Sequence, residues 1–312
     1  MLNDITVDIL MATYNGEKYI EQQIDSILNQ TYVNFNLIIS DDCSSDKTLK
    51  IIKKYEQKDK RIKVYQQQKN LGYRKNFEFL CNKISSKYIM FSDQDDVWLQ
   101  DKIEKMLDYI KVKNSALVYC DLDIVDKNLK SINNTMLRQS NMYDKAKKYN
   151  DFNLLKFENA VTGCAMITTE EIVKNALPFP KKFFPHDWWI GLIATQYGTV
   201  DFLDIPLVKY RQHDANCIGA LSLKQKYSNF DDYYNQRIQY RINQFEILNQ
   251  RKNMFNDEAK KNIELGNTYF NNPKISNINK LWVLMAKEKK LKRIKWIILF
   301  SFPKIAKFFW KG

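Results

Sequence analysis

Short apolar runs alternate with helix-like segments through the N-terminal third of the chain. Four runs occur at nearly even spacing: Val7–Ala12, Phe35–Ser40, Arg61–Gln66 and Tyr88–Ser92. The first two are largely apolar throughout, which is typical of parallel strands buried on both faces. After the first run, Ile20, Ile24 and Ile27 recur at helical spacing. This alternation predicts an open α/β sheet, in which ligands bind at the carboxyl ends of the strands.

The α/β pattern continues less regularly beyond the fourth run. A strand is predicted near Leu117–Cys120, and a helix from about Asp187 to Tyr197. Residues 126–150 are polar and irregular, which predicts a surface excursion or a lid.

No strand pattern remains beyond Gly219. Residues 221–265 predict helices with polar faces, and residues 279–300 predict a basic helix. We therefore expect two domains, an α/β domain over residues 1–219 and a helical C-terminal region over residues 220–312.

The charge is uneven along the chain. The net charge is +13, and between Leu281 and Gly312 nine Lys and Arg residues stand against the single Glu288. Apolar and aromatic residues, including Trp282 and Trp296, interleave with these lysines. A basic helix of this kind is typical of binding to an anionic membrane surface. The alternative is a helix that packs its apolar side on the α/β domain and leaves its lysines in water.

Three features of the sequence predict the cellular compartment of the protein. It has no stretch of about 18 apolar residues that would span a bilayer. The N-terminus lacks the layout of a secretory signal. The five cysteines form no CxxC pair and predict neither a disulfide framework nor a zinc site. We expect a cytoplasmic protein, peripheral at the inner face of the plasma membrane.

Three carboxylates are crowded directly after the fourth apolar run. Asp93, Asp95 and Asp96 lie within the stretch Ser92–Trp98. Their mutual repulsion raises their pKa values unless a positive charge lies between them. Hard oxygen ligands suit Mg²⁺ or Mn²⁺, so the stretch predicts a cation that holds a nucleotide diphosphate. The alternative is an acidic turn that caps a helix beginning near Leu99.

The other strand ends are also polar, acidic or glycine-bearing, and together the motifs resemble a known family. In this order they resemble the family 2 glycosyltransferases, inverting enzymes of the GT-A fold that use nucleotide sugars. The resemblance covers roughly residues 5–216, and the segments that carry it are Ile9–Glu17, Ile39–Asp46, Asn70–Asn76, Asp93–Asp96, His186–Trp189 and Tyr210–His213. The acidic segment looks most like the rhamnosyltransferase-like bacterial branch. The implied fold is Rossmann-like, with a mostly parallel central sheet, flanking helices and a C-terminal helical region.

The resemblance implies roles for residues near the nucleoside. A strand-end carboxylate can accept the N3–H of uracil or thymine, and Asp41 is the candidate. By resemblance, Thr13, Tyr14 and Glu17 line the nucleoside pocket, and Asp93 holds the ribose hydroxyls.

The diphosphate and its cation have their own candidates. Asp95 resembles the metal ligand, and His213 matches a position that completes the metal or diphosphate shell. Arg74 and Arg211 are candidates for binding the diphosphate. The alternative for Arg74 is a solvated charge on a helix, and the alternative for Arg211 is a structural ion pair. Asp96 either assists the cation or caps the next helix.

Asp187 is the candidate general base for the acceptor hydroxyl. It opens a helix and is followed by Trp188 and Trp189, which suit a sugar-stacking surface. The alternative is a helix N-cap after Pro185. The family typically has a Glu-Asp pair here, and His186 replaces the glutamate.

These residues predict an inverting, metal-dependent enzyme. It would move a sugar, with rhamnose a candidate, from a UDP- or dTDP-sugar to a glycan hydroxyl. A lipid-linked acceptor in cell-surface polysaccharide synthesis would suit the basic tail. A nucleotidyltransferase is disfavoured because the first loop lacks the Gly-rich basic pattern of such enzymes. Two alternatives remain: an inactive partner subunit of the same family, and a basic nucleic-acid-binding protein. The excess positive charge lies in the tail and not in the predicted sheet, which argues against nucleic-acid binding.

Overall fold

The computed structural model describes residues 5–132, 134–213, 229–286, 288 and 290–308. In these residues one sheet has the strand order β3-β2-β1-β4-β7-β6-β8-β5. The strands are β1 (Val7–Thr13), β2 (Phe35–Asp41), β3 (Ile62–Gln66), β4 (Tyr88–Ser92), β5 (Val97–Trp98), β6 (Leu117–Val125), β7 (Met166–Thr169) and β8 (Val200–Arg211).

The first half of the sheet confirms the four predicted strands. Strands β3, β2, β1 and β4 are parallel neighbours, and Thr13 lies in register with Asp41. All of β4 and nearly all of β1 is buried, as expected for strands covered on both faces. Parallel pairing brings the ends of β1, β2 and β4 to one edge, so the polar residues that follow them meet there.

The second half of the sheet mixes directions. Strand β7 pairs antiparallel with both β4 and β6, while β8 runs parallel to β6. The two-residue β5 pairs antiparallel with β8. This pairing brings the end of β8, with Arg211, back to the acidic stretch that precedes β5.

Helices flank the sheet in the order expected from the alternating pattern. In the first part of the chain these are α1 (Ile20–Leu28), α2 (Thr48–Lys58), α3 (Tyr73–Cys81), α4 (Lys102–Lys113), α5 (Met136–Gln139), α6 (Tyr143–Lys148), α7 (Phe152–Leu155), α8 (Glu170–Ala176) and α9 (His186–Ala194). Helix α1 buries Ile20, Ile24 and Ile27. The predicted excursion at 126–150 contains the short helices α5 and α6.

The alternative of an acidic turn capping a helix near Leu99 is wrong. Helix α4 begins at Lys102 with Asp101 at its N-cap, and β5 lies between Asp96 and that helix. Asp96 therefore caps nothing, and its burial needs another explanation.

The chain divides into two compact units. The first comprises Met1–Phe179 and Pro185–Leu221, and the second comprises Pro180–Phe184 and Ser222–Gly312. The boundary expected at residues 219 and 220 lies outside the described residues, as do Phe309 and Trp310 of the tail.

From residue 229 onwards, the described residues of the second unit form helices and their connections and contain no strand. Its helices are α10 (Phe230–Gln250), α11 (Asp257–Asn271), α12 (Ile278–Leu284), α13 (Lys290–Ser301) and α14 (Pro303–Phe308). Phe245 stacks on Phe270, whose ring edge meets Phe300. A Cβ at Gly266 would lie 2.2 Å from the Phe245 ring, so glycine permits this close packing. The tail helices thus contribute to the core of the second unit.

Candidate active site

The end of β4 carries the acidic group predicted from the sequence. Asp96 is almost fully buried, and its Oδ1 accepts the backbone N–H of Arg211 at 3.1 Å. Its Oδ2 accepts no N–H or O–H from the described residues, and the Cys164 thiol, a weak donor, interacts with this carboxyl group. Ligand atoms of Asp93, Asp96 and Cys164 lie within 4.8 Å of one another.

Burial and crowding shift the pKa values of this group upward. The pKa of Asp93 is raised to about 7, first by burial and then by the negative charges of Asp95 and Asp187. The pKa of Asp96 is raised well above its ordinary value by burial, Asp95 and Asp93. The crowding effect expected from the sequence is therefore present. Asp187 also contributes to it, because its negative charge raises the pKa of Asp93.

A buried lysine beside this group was missed by the sequence analysis. The Nζ of Lys102 donates to the Cys164 carbonyl at 2.6 Å and lies 3.1 Å from the centroid of the Trp98 ring. Burial lowers its pKa to about 8, against the opposing influence of nearby groups that include Asp93 and Asp96. The available signal was its spacing, because Lys102 shares a helical face with Met106 and Ile110, both buried.

Asp95 and His213, predicted as metal ligands, lie together. The His213 Nε2 and the Asp95 Oδ2 are 2.9 Å apart. The imidazole packs on the Tyr19 ring at 4.8 Å between centroids. A residue of β4's exit and one just beyond β8 therefore meet, although 118 positions separate them.

Arg211 is held by the protein itself. Its Nε donates to the Asp95 carbonyl, its Nη1 to the Lys127 carbonyl and its Nη2 to Gln22 Oε1, at 2.7, 2.7 and 2.6 Å. The guanidinium also lies over the Tyr19 ring. This arrangement favours a structural role, in which Arg211 fixes the loop that carries Asp95, over contact with a diphosphate.

The acidic group suits a hard divalent cation. A buried carboxylate oxygen without a partner and three crowded carboxylates are both relieved by a cation with oxygen preference. The Cys164 thiol does not suit such an ion, because burial and the nearby aspartates raise its pKa well above the ordinary value. The oxygen donors, and not the sulfur, match Mg²⁺ or Mn²⁺.

The ends of β1 and β2 hold the predicted nucleoside residues. Oδ1 of Asp41 accepts the hydroxyls of Thr13 and Ser44, and its Oδ2 accepts the Ser44 N–H. Tyr14 is about half exposed, and its backbone exchanges two hydrogen bonds with the Gln94 side chain. The loop after β1 is thereby tied to the acidic stretch after β4.

Glu17 contacts the start of α2. Its Oε2 accepts the Lys47 N–H at 2.9 Å, while its own N–H donates to Asp46. The structure brings Thr13, Tyr14 and Asp41 together at one edge and uses at least one Glu17 oxygen to hold the neighbouring loop.

Asp187 lies in the first turn of α9, whose N-cap is Pro185. Its carboxylate accepts the Asn159 side-chain amide and the Gly163 and Trp188 backbone N–H groups at 3.2, 3.0 and 2.6 Å. Burial nevertheless raises its pKa to about 6. The N-cap alternative is wrong for Asp187, and the supporting Asn159 and Gly163 had no signal in the sequence pattern.

The comparisons with known proteins identify the family. Residues 8–173 match the model of Glycosyl transferase family 2. This chain belongs to that family. The dTDP-rhamnosyl transferase RfbG of Shigella flexneri is 33% identical over 234 residues, which cover 70% of this chain and 76% of RfbG. As a member of glycosyl transferase family 2, the protein is a transferase enzyme.

Two further similarities extend beyond the matched segment. The UDP-Glc:alpha-D-GlcNAc-diphosphoundecaprenol beta-1,3-glucosyltransferase WfgD of Escherichia coli is 27% identical over 263 residues, covering 81% of this chain and 97% of WfgD. The crystal structure of S. aureus TarS in complex with UDP matches with a TM-score of 0.57 at 19% identity. It covers 94% of this family 2 chain and 78% of the TarS chain, and it confirms the GT-A fold.

Proposed function

We propose that this protein is a metal-dependent inverting glycosyltransferase that uses a UDP- or dTDP-sugar and a lipid-linked glycan acceptor in cell-surface polysaccharide synthesis. Rhamnose is the first candidate sugar, because the relative RfbG is a dTDP-rhamnosyl transferase. WfgD, whose name specifies a diphosphoundecaprenol-linked acceptor, supports the acceptor class. The observation that carries the proposal is the buried acidic group at the end of β4, with its unpartnered Asp96 oxygen.

Asp95 and His213 would hold Mg²⁺ or Mn²⁺, and Asp96 would assist the cation. When bound, such a cation neutralises the negative charge that grows on the departing nucleotide diphosphate. Arg211 contributes by fixing the backbone of Asp95 through its Nε donor.

The donor's nucleoside would lie across the ends of β1 and β2. Asp41 Oδ2 accepts a single hydrogen bond among those the structure gives it, which leaves capacity for the N3–H of a pyrimidine base. Tyr14 offers an exposed ring face beside Thr13 and Glu17, and Asp93 would hold the ribose hydroxyls. Arg74, in the first turn of α3, remains our candidate for the diphosphate.

Asp187 would take the proton from the acceptor hydroxyl as that oxygen attacks the sugar. With a pKa of about 6, its carboxyl is mostly ionised at neutral pH yet basic enough to accept a proton. The three hydrogen bonds from Asn159, Gly163 and Trp188 hold the carboxylate in one orientation. Attack opposite the leaving diphosphate inverts the anomeric centre.

A thermal-shift panel of nucleotide sugars, each with and without Mn²⁺, tests the donor and the metal together. A true donor stabilises the folded protein by mass action, and we expect the shift to require the cation. Asp95→Ala should abolish both the metal-dependent shift and transfer. Asp257→Ala, which removes a fully exposed carboxylate, is the matched control. A wild-type protein that neither binds nor transfers any nucleotide sugar would contradict the proposal and favour an inactive partner subunit.

The tail supports a peripheral contact with an anionic membrane. No helix in the described part of the chain is long and apolar enough to cross a bilayer. On α13, Leu291 and Ile294 are exposed three residues apart, and on α14 Ile305 and Phe308 are exposed at the same spacing. Lysines flank both pairs, so apolar side chains and positive charge share a surface, as interfacial binding requires.

Vesicle flotation tests this contact without removing core helices. The double variant Leu291→Ser, Ile294→Ser should bind anionic vesicles less than wild type, whereas Val112→Ser, at an exposed apolar residue of α4, should not. Equal flotation of all three proteins would exclude the tail surface as the membrane contact.

A further inference from the structure

The residue before the proposed base is a buried histidine inside an aromatic box. The His186 ring stacks on Phe77 with 4.1 Å between centroids, and Phe91, Phe179 and Tyr73 lie at 5.4, 6.3 and 6.4 Å. The side chain is 6% exposed. By shape alone, this environment would suit a phenyl ring.

The chemistry of the imidazole is unused within the protein. Neither ring nitrogen has a hydrogen-bond partner among the described residues. Burial and the positive charge of Arg74 lower the pKa of His186 to about 3, so the ring is neutral and carries one donor and one acceptor. A buried polar atom without a partner costs about 1–3 kcal/mol. Packing therefore does not explain a histidine at this position.

The imidazole lies near the proposed base, Asp187, and near Arg74, the candidate residue for the diphosphate. A Cβ at Gly163 would be 2.9 Å from the His186 Nε2 and 3.7 Å from the Asp187 Cβ, so the Gly163 backbone packs directly against the imidazole and lies beside Asp187. Tyr73 and Arg74, at the start of α3, both interact with the imidazole. Asp187 in turn interacts with Asp93 of the acidic group. If Asp187 takes the proton as proposed, the acceptor hydroxyl and the sugar it attacks lie next to Asp187, one residue from His186.

We infer that His186 is a specificity-determining residue that hydrogen-bonds a sugar hydroxyl at the reaction centre. The inference rests on the proposed function. A neutral imidazole can both donate to and accept from a hydroxyl, and the sugar supplies the partner that the protein does not. The hydroxyl belongs either to the donor hexose or to the acceptor glycan, and these two sources share the same chemistry.

The test is His186→Phe, which keeps a ring in the aromatic box and removes both nitrogens. We expect an unchanged or higher melting temperature together with a fall of about 10- to 100-fold in kcat/KM, because a bound hydroxyl is left unpaired. A raised donor KM and a weaker donor-induced thermal shift assign the hydroxyl to the donor; a raised acceptor KM alone assigns it to the acceptor. Deoxy analogues that lack this hydroxyl should be used equally well by wild type and variant.

Two controls separate binding from folding. Leu192→Ala, at a buried residue of the same helix, should lower the melting temperature and leave both KM values near wild type. If His186→Phe does not fold, His186→Leu provides the same kinetic comparison. Wild-type KM and kcat/KM in the variant would overturn the inference, while a wild type that transfers no sugar would instead overturn the proposed function.

Discussion

Two pairs of aspartates lie at the ends of β2 and β4, the two strands that flank β1, and their hydrogen bonding differs. Asp41 and Asp42, after β2, are surrounded by donors: Asp41 accepts from Thr13 and Ser44, and Asp42 accepts the Leu71 and Gly72 N–H groups at 2.7 and 2.8 Å. Asp96 is buried and Asp93 is half-buried; both follow β4, have few donors and have raised pKa values.

The contrast separates carboxylates that organise loops from carboxylates kept for chemistry. Hydrogen-bond donors stabilise the ionised form of a carboxylate. The Asp42 carboxylate is stabilised in this way by the backbone N–H groups of Leu71 and Gly72, and it thereby holds the loop before α3. The Asp93–Asp96 group has few such donors and the nearby Lys102 offsets its charge only in part, so a cation bound there would supply the remaining compensation. Burial alone does not distinguish the pairs, because Asp42 and Asp96 are both almost fully buried.

Asp187 does not fit this contrast, because its carboxylate accepts three hydrogen bonds and its pKa is nevertheless raised. We expect Asp187→Asn to lower the turnover number by about 10²- to 10⁴-fold, because the amide accepts no proton from the acceptor. Donor binding should persist. Steady-state kinetics and donor-induced thermal shifts measure the two effects, and near-normal turnover would remove Asp187 from the mechanism.

The pH profile of the wild-type enzyme gives an independent check on Asp187. The ionised carboxylate is the active form, and its pKa is about 6. The transfer rate should therefore rise with pH through about 6 and level off above it. A rate that falls over this range would require a different group as base.

The paired variants Asp96→Asn and Asp42→Asn test the contrast directly. Asp96→Asn should leave stability unchanged or higher, because it removes repulsion from Asp93 and Asp95, but it should reduce metal-dependent transfer about 100-fold or more. Asp42→Asn should lower the free energy of unfolding by about 1–3 kcal/mol, because an amide cannot accept both N–H groups. Denaturant unfolding measures the stability of each variant, and transfer assays measure its activity. If Asp96→Asn lost stability and Asp42→Asn lost metal-dependent transfer, the contrast between the two pairs would be wrong.

Lys102→Met should destabilise the cation-free protein by about 2–4 kcal/mol, because it removes a buried positive charge that lies near Asp93 and Asp96. Lys105→Met, at a surface pair with Asp101, is the control and should change stability by less than about 1 kcal/mol. Denaturant unfolding at neutral pH measures both. An equal effect of the two substitutions would mean that Lys102 does not compensate the acidic group.

A further expected effect is the pH dependence of cation stabilisation. The folded pKa of Asp93, about 7, lies above the ordinary value, so the folded state binds more protons between about pH 4 and 7. Stability of the cation-free protein should fall as pH rises through this window, by up to about 1.4 kcal/mol per pH unit for one proton. The shift in melting temperature caused by Mn²⁺ should accordingly be larger at pH 8 than at pH 5.5. A shift independent of pH would place the cation elsewhere.

Much of the parallel half of the fold followed from local sequence. The runs at β1, β2, β3 and β4 and the spacing of Ile20, Ile24 and Ile27 predicted the observed elements, because buried parallel strands and one-sided helices have distinct periods. The order of polar strand ends predicted which residues meet at one edge. The two-residue β5 was missed because two residues carry no period.

The sequence by itself determined the family, the parallel half of the sheet and the acidic group after β4, since these depend on local pattern and ordered motifs. Only the tertiary structure decided how each carboxylate is compensated. It places Arg211 in contact with Asp95 and Gln22, leaves one Asp96 oxygen without an N–H or O–H donor and both His186 nitrogens without partners among the described residues, and buries Lys102 near Asp93 and Asp96. Hydrogen-bond partners and burial depend on contacts between residues far apart in the chain, and no local pattern specifies them.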